Sequence, residues 1–267
     1  MSVKLNRDSA QTSGNGPAAV SQAMKAIAFA LPQESRDFVA VLREPRRSGS
    51  ARLPVITGKL GAEMVAVFHT GVGPISARQQ LARFWQQHHG IEAVIGAGFA
   101  GALDPFLSAG ALILWGESSQ WLICARAALG ENSRIGLLAS APEMLETPRA
   151  KAQWAKLTGA VAVDMETATL AAFFDEKGVP FLALRAISDT AGEILPVPFE
   201  VWFDLHAQQP RPARLLRFLL DHPGRIVPFI RFVRTVTRVR RVLAQALVKI
   251  TAMPCPDAAI DPAQRRQ

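Results

Sequence analysis

A chain of 267 residues that is 49% hydrophobic can bury one substantial core, which excludes a disordered or low-complexity protein and suits a single enzyme-sized domain. Its formal charge of +8 is unevenly spread: ten basic residues and one acid, Asp221, lie between Arg211 and Ile250, so that segment carries +9 and the remainder −1. A near-neutral body argues against nucleic acid as the partner and confines any basic patch to the C-terminal segment.

The first 22 residues are polar and rich in Ser, Gly and Ala without the apolar run of a signal peptide, and are expected to be a disordered leader. Residues 23–206 are expected to form the catalytic domain and 207–267 a basic amphipathic helical tail. Met24 to Leu31 reads as an apolar strand, and Pro32-Gln33-Glu34-Ser35 opens a helix toward Leu42. Arg43 to Leu53 reads as a polar, basic loop. Met64 to Phe68 is a buried strand, followed by the turn His69-Thr70-Gly71-Val72-Gly73-Pro74 and a helix from Ile75 to about His89. Ala93 to Ala97 is a strand and Gly98 to Pro105 a small-residue turn. Ala111 to Trp115, Leu122 to Ala125 and Arg134 to Ala139 read as short strands, and Pro148 to Leu157 as a helix. Met165 to Lys177 is a helix ended by Gly178, and Pro180 to Ile187 a strand. Strand, glycine turn, helix is the repeating unit of a three-layer α/β/α sandwich around a mixed, twisted sheet.

In open α/β sheets ligands sit where strands end, so the loops after Leu31, Phe68, Ala97 and Ile187 are the places to look for chemistry. Asp164 and Glu166 stand two apart at the start of an apolar helix, where they either cap it or accept hydrogen bonds from a vicinal diol such as ribose. Asp189 at a strand tip is either a cap or an acid able to protonate a leaving group. Arg185, four residues earlier in that apolar strand, demands an anionic partner.

The segments AVDMETATLAAFF and VPFLALRAISDTA, with HTGVGPISA, GAGFAGALDPFLSAG and KAIAFALPQES upstream, resemble the nucleoside phosphorylase and nucleosidase superfamily. The likeness runs from about Met24 to Asp204 and includes the bacterial methylthioadenosine/S-adenosylhomocysteine nucleosidases, which carry a very similar Met-Glu helix and Arg-x-x-Ser-Asp strand end, with a narrower likeness to a second group. AGALDP, the short stretch from Gly136 to Val163 and the tail QPRPARLLRFLLDHPGRIVPFIRF are similar to hopanoid-associated phosphorylases, which implies release of adenine from an adenosylated hopane lipid. The resemblance implies that Glu166 binds the ribose hydroxyls and Met165 packs on the sugar, with Asp164 beside them. It implies that Asp189, next to Ser188, hydrogen-bonds or protonates N7 of adenine, that Glu34 orients or deprotonates water, and that Arg185 organises the carboxylates. Gly98, Phe99 and Ala100 would line the substrate site, with Phe99 where the nucleosidases often have serine and Met144 where they place an aromatic over the base. The shortened Gly136-to-Val163 stretch should open the site.

Hydrolysis and phosphorolysis both stay open, with inorganic phosphate as co-substrate in the second; otherwise no cofactor is expected. Glu34 favours water, because a carboxylate repels a phosphate dianion. Cys124 and Cys255 have no metal-like spacing, and the five histidines, including the pair His88-His89 at a helix end, suggest no metal site. A homodimer in a reducing cytoplasm is expected. In the tail, Ile226, Phe229, Ile230, Val233, Val236, Leu243, Leu247 and Ile250 recur near helical spacing, with Arg231, Arg234, Arg238, Arg241 and Lys249 largely between them. The helix so formed either docks on the protein or meets anionic lipid at the inner face of the cytoplasmic membrane.

Overall fold

The computed structural model describes residues 24–254, so the expected leader, Cys255 and the end of the tail lie outside the described residues. A ten-stranded mixed sheet forms the centre. Its parallel middle is β4 (Glu63–His69), β1 (Met24–Phe29), β5 (Ile91–Ala102) and β10 (Phe181–Asp189), in that order. Antiparallel β3 (Leu53–Leu60) and β2 (Arg43–Ser50) extend the β4 side. Beyond β10 come antiparallel β6 (Leu112–Gly116) and then β7 (Ser133–Ile135). Short β9 (Ala162–Asp164) pairs with the end of β5, and β8 (Leu138–Ser140) with β9.

The middle strands are continuous apolar runs because both of their faces are covered. Along β1 the side chains alternate, Ile27 and Phe29 entering one core and Ala26 and Ala28 the other. The first core is closed by α1 (Pro32–Val39), α3 (Ser119–Leu129) and part of α8 (Ile226–Thr251), through Phe38, Trp121 and Leu243. The second is closed by α2 (Pro74–Gln87) and α5 (Thr167–Glu176), through Leu81, Phe84, Leu170 and Phe174. The architecture is therefore the expected three-layer α/β/α sandwich.

Four expectations need correction. Arg43 to Leu53 is mostly strand β2, an exposed edge whose residues bury no face and so show no apolar alternation. Its arginines protect that edge from further pairing. Leu122 to Ala125 lies in helix α3, where Ser118 Oγ caps the N-H of Trp121 at 3.1 Å; four apolar residues in a row carry no period that separates helix from strand. Gly98 to Ala102 continues strand β5, pairing Gly98 with Arg185 and Gly101 with Asp189. The boundary at 207 does not isolate a tail, because Val239, Leu243, Leu247 and Ile250 of α8 belong to the main core. Within the tail, α7 (Pro212–Asp221), the 3-10 turn Pro223–Arg225 and the first half of α8 have no buried residue.

Candidate active site

The parallel strands end on one rim of the sheet and deliver the polar residues there. After β1, Pro32 fixes the first turn of α1 and puts Glu34 at its third position. Glu34 Oε2 accepts from the N-H groups of Ala30 and Leu31, both at 3.0 Å, and Oε1 accepts from that of Phe99 at 3.2 Å. Burial raises its pKa, opposed by these hydrogen bonds and by the charge of Arg185. A Cβ on Gly98 would lie 3.2 Å from Glu34 Oε1 and 3.4 Å from Arg185 Nη1, so glycine there lets both side chains lie across β5.

Arg185, on β10, is 3% exposed. Its Nε donates to Asp164 Oδ2 at 2.6 Å, and its buried Nη1 has no protein partner. Burial works against the guanidinium charge, but Asp164, Glu166 and Glu34 outweigh it and raise the pKa. Asp164 also accepts from Ser140 Oγ at 2.7 Å and from both the N-H and the hydroxyl of Thr167. It is therefore committed to Arg185 and to the start of α5, serving the site as a brace.

Glu166 caps α5, and its Oε1 accepts from the N-H of Gly73 at 2.7 Å. Gly73, at φ 87, has the backbone freedom to aim that N-H, and Gln208 holds the neighbouring Val72 through both N-H and carbonyl, at 2.7 and 3.0 Å. Burial first, then the charge of Asp164, push Glu166 to a pKa of about 8, with Glu34 adding to the rise.

Asp189 receives the Ser188 hydroxyl on Oδ1 at 2.6 Å and the Lys151 ammonium on Oδ2. Lys151 comes from α4 (Pro148–Thr158), is 1% exposed, and also donates to the carbonyl of Thr190 at 2.7 Å. Sequence reasoning passed over Lys151, whose only signal was a helix without a clear apolar stripe. It also passed over Phe199 and Trp202, an edge-on aromatic pair beside Met165. His69 meets Ser35 at 2.8 Å and burial lowers its pKa to about 4; it lies outside the cavity. His88 turns a ring nitrogen to the carbonyl of Phe84 at 3.2 Å.

These residues border two adjoining spaces. A cavity of about 380 Å³ is walled by Glu34, Phe99, Ala100, Asp164, Met165 and Glu166, with Met144, Ser188 and Asp189 farther along. Its apolar side is continued by Leu215 of α7 and by Phe229, Phe232, Val233 and Val236 of α8. A second space of about 10 Å³, the size of one water, shares Ala30, Glu34, Phe99 and Glu166 with the first and adds Gly98 and Arg185. Among the described residues no group of three or more His, Cys, Asp or Glu is arranged to hold a metal ion.

The sequence and the α/β/α fold match known proteins. The sequence model of the phosphorylase superfamily matches residues 25–120 and 118–220, and the chain belongs to that superfamily. It is an enzyme of glycosyl-bond cleavage. It is 25% identical over 211 residues to the 5′-methylthioadenosine/S-adenosylhomocysteine nucleosidase of Marinomonas sp. (strain MWYL1), covering 67% of this chain and 91% of that one. The nucleosidase of the same name from Shewanella oneidensis is 24% identical over 208 residues, covering 66% of this chain and 88% of that one. The fold is shared with the Campylobacter jejuni nucleosidase structure, at a TM-score of 0.65 and 19% identity over 85% of this chain and 98% of that one. It is equally shared with the futalosine hydrolase of Helicobacter pylori, at 0.65 and 16% over 85% and 97%.

Proposed function

We propose that this chain releases adenine from a nucleoside by adding water at C1′, and that the nucleoside carries an apolar 5′ substituent. The observation that carries the reading is the junction of the two spaces: a one-water site against Glu34 and Arg185, opening into a cavity whose far wall is apolar. Burial makes Glu34 a stronger base than an exposed carboxylate, suited to take a proton from water as the C1′–N9 bond lengthens. Glu166 and Met165 take the ribose. Asp189 takes the base edge, accepting from the exocyclic amine and sharing a proton with N7, so that adenine leaves neutral.

Water is favoured over phosphate on size and charge. A phosphate needs several fixed donors, typically arginines. The 10 Å³ space has one guanidinium, whose Nε is already given to Asp164, and two glutamates. Adenine release measured with and without phosphate tests this: strict dependence on phosphate overturns the hydrolytic reading.

The apolar wall from Leu215 to Val236 is of a length and character for a lipid-linked adenosine such as adenosylated hopane. The related nucleosidases are named for methylthioadenosine and S-adenosylhomocysteine, which carry short 5′ groups. Comparing kcat/KM for adenosines with methylthio and long alkyl 5′ groups tests the choice; preference for methylthio overturns it. Delivery of such a substrate suits a peripheral membrane contact. Leu216, Leu220, Val227 and Ile230 are exposed on α7 and α8 among Arg214, Arg217, Arg225 and Arg231. Each basic residue near an anionic surface is worth about 1 kcal/mol. Among the described residues no helix is long and apolar enough to cross a membrane, so the contact would be superficial. Co-sedimentation with phosphatidylglycerol vesicles, lost when the four arginines become glutamine, is the expected result; unchanged binding counts against it.

A further inference from the structure

Both backbone groups of Val72 are taken by one side chain from 136 residues away. Gln208 Oε1 accepts from the Val72 N-H at 2.7 Å, and Gln208 Nε2 donates to the Val72 carbonyl at 3.0 Å and to that of Leu205 at 2.6 Å. Gln208 lies between α6 (Phe199–Trp202) and α7, just before β12 (Gln209–Pro210), which pairs with β11 (Phe203–Asp204). It adopts φ 53, a left-handed conformation that is costly for a residue with a Cβ and persists only where the surroundings fix it. Asp204 supplies part of that fixing, accepting from the N-H groups of His206 and Ala207, both at 3.0 Å, and pairing with Arg211. Gly71 leaves room for the approach: a Cβ there would lie 2.6 Å from Gln208 Oε1.

The carbonyl of Val72 and the N-H of Gly73 belong to one planar trans peptide and point in opposite directions. Gln208 holds the first, and the second donates to Glu166 Oε1 at 2.7 Å. Turning that peptide over would carry Gly73 from φ 87 to negative φ, which glycine adopts as readily. The backbone of the turn therefore does not itself choose which edge meets Glu166. We infer that Gln208 makes the choice: it locks the Val72–Gly73 peptide with its N-H toward Glu166, so that the connection between α6 and α7 completes the sugar subsite. The inference rests on the proposed role of Glu166 toward the ribose hydroxyls and adds the residue that steadies it. Gly73 anchors Oε1 and leaves Oε2 for the diol; without the anchor the carboxyl is free to turn away from the sugar. Gln208 does not border the cavity, so it is a positioning residue acting through the peptide it holds. The helices on either side of it bring Trp202 and Leu215 to the cavity wall, so one segment serves both the wall and the sugar.

The decisive variant is Gln208→Gly, because glycine suits φ 53 and only the amide is lost. Exchange of the Gly73 amide, followed by NMR, should quicken at least about tenfold, with the amides of Val65 and Val67 in β4 unchanged. In the same variant kcat/KM for an adenosine should fall at least about tenfold. For the 2′,3′-dideoxyadenosine with the same 5′ group, which has no hydroxyl for Glu166 to hold, it should change less than about twofold. Gln208→Glu keeps the acceptor for the Val72 N-H but loses the donor to its carbonyl; it should reproduce both effects, and it stands in for Gln208→Gly if that variant does not fold. Unchanged Gly73 exchange overturns the inference. An equal loss on both nucleosides also overturns it, since Gln208 would then be merely structural. If the wild type releases no adenine, the glycosidic reading fails, and Gly73 exchange alone still upholds or overturns the lock on its peptide.

Discussion

The two ends of the site solve the problem of buried charge differently. At the ribose end one guanidinium, Arg185, serves three carboxylates but hydrogen-bonds only Asp164, and both Glu34 and Glu166 have raised pKa values. At the base end one ammonium, Lys151, serves one carboxylate, Asp189, and the charges balance. Burial, which the single guanidinium only partly offsets, leaves carboxylates that take up protons more readily than exposed ones, which suits a base for water and a ribose-binding acid. The paired carboxylate keeps its remaining lone pairs for a ligand in the cavity.

Removing Arg185 should break the first arrangement most severely. Arg185→Met strands three acids around a buried hydrophobe, and breaking a buried pair from one side costs about 3–5 kcal/mol. Urea denaturation should register a loss of that size, with activity abolished. Glu34→Gln is the milder probe of the same end. The amide oxygen can still accept from Ala30 and Leu31, so the melting temperature should stay close to that of the wild type. The rate should nevertheless fall by about 10²–10⁴, the usual worth of a positioned base. Turnover that survives this substitution would assign the base elsewhere.

The asymmetry was half legible in the sequence. Glu166, Arg185 and Asp189 announce themselves because charged residues at the ends of apolar segments need partners, and the glycine turns mark the rim. Lys151 did not, since a lysine in PRAKAQWAKL reads as solvent-facing and its partner is 38 residues away. Asp164 was legible as a site residue but not as a brace, because the hydrogen bonds from Ser140, Thr167 and Arg185 depend on short β9 pairing beside the end of β5. Edge strand β2 was hidden for want of a buried face, whereas the apolar spacing of Leu243, Leu247 and Ile250 in the second half of α8 did mark a face that now lies in the core.

The burial of Glu166 beside Asp164 also predicts a pH dependence of stability. Glu166 has a folded pKa of about 8, above its ordinary value of 4.5, so the folded protein binds the extra proton between those limits. Stability from this group is complete below the unfolded pKa and is lost as pH rises through about 8. Unfolding free energy should therefore decline from mildly acidic pH toward pH 8, and Glu166→Gln should flatten that decline. An unchanged slope in the variant would mean that another group carries it.

A third ion pair sharpens the comparison because it is neither buried nor surrounded by spare acids. Arg240 of α8 donates to Asp37 of α1 at 2.8 Å, with side chains 17% and 25% exposed, at the edge of the cavity. Water can solvate either partner when the other is removed, so Arg240→Ala should cost no more than about 1 kcal/mol. The pair also pins α8 just beyond its first half, which supplies part of the apolar wall and has no buried residue of its own. The substitution should accordingly raise KM for a long-chain 5′ nucleoside while leaving that for adenosine nearly unchanged. A stability loss equal to that of Arg185→Met would show that helix docking, rather than the burial of unpaired acids, sets the cost of losing a cation in this protein.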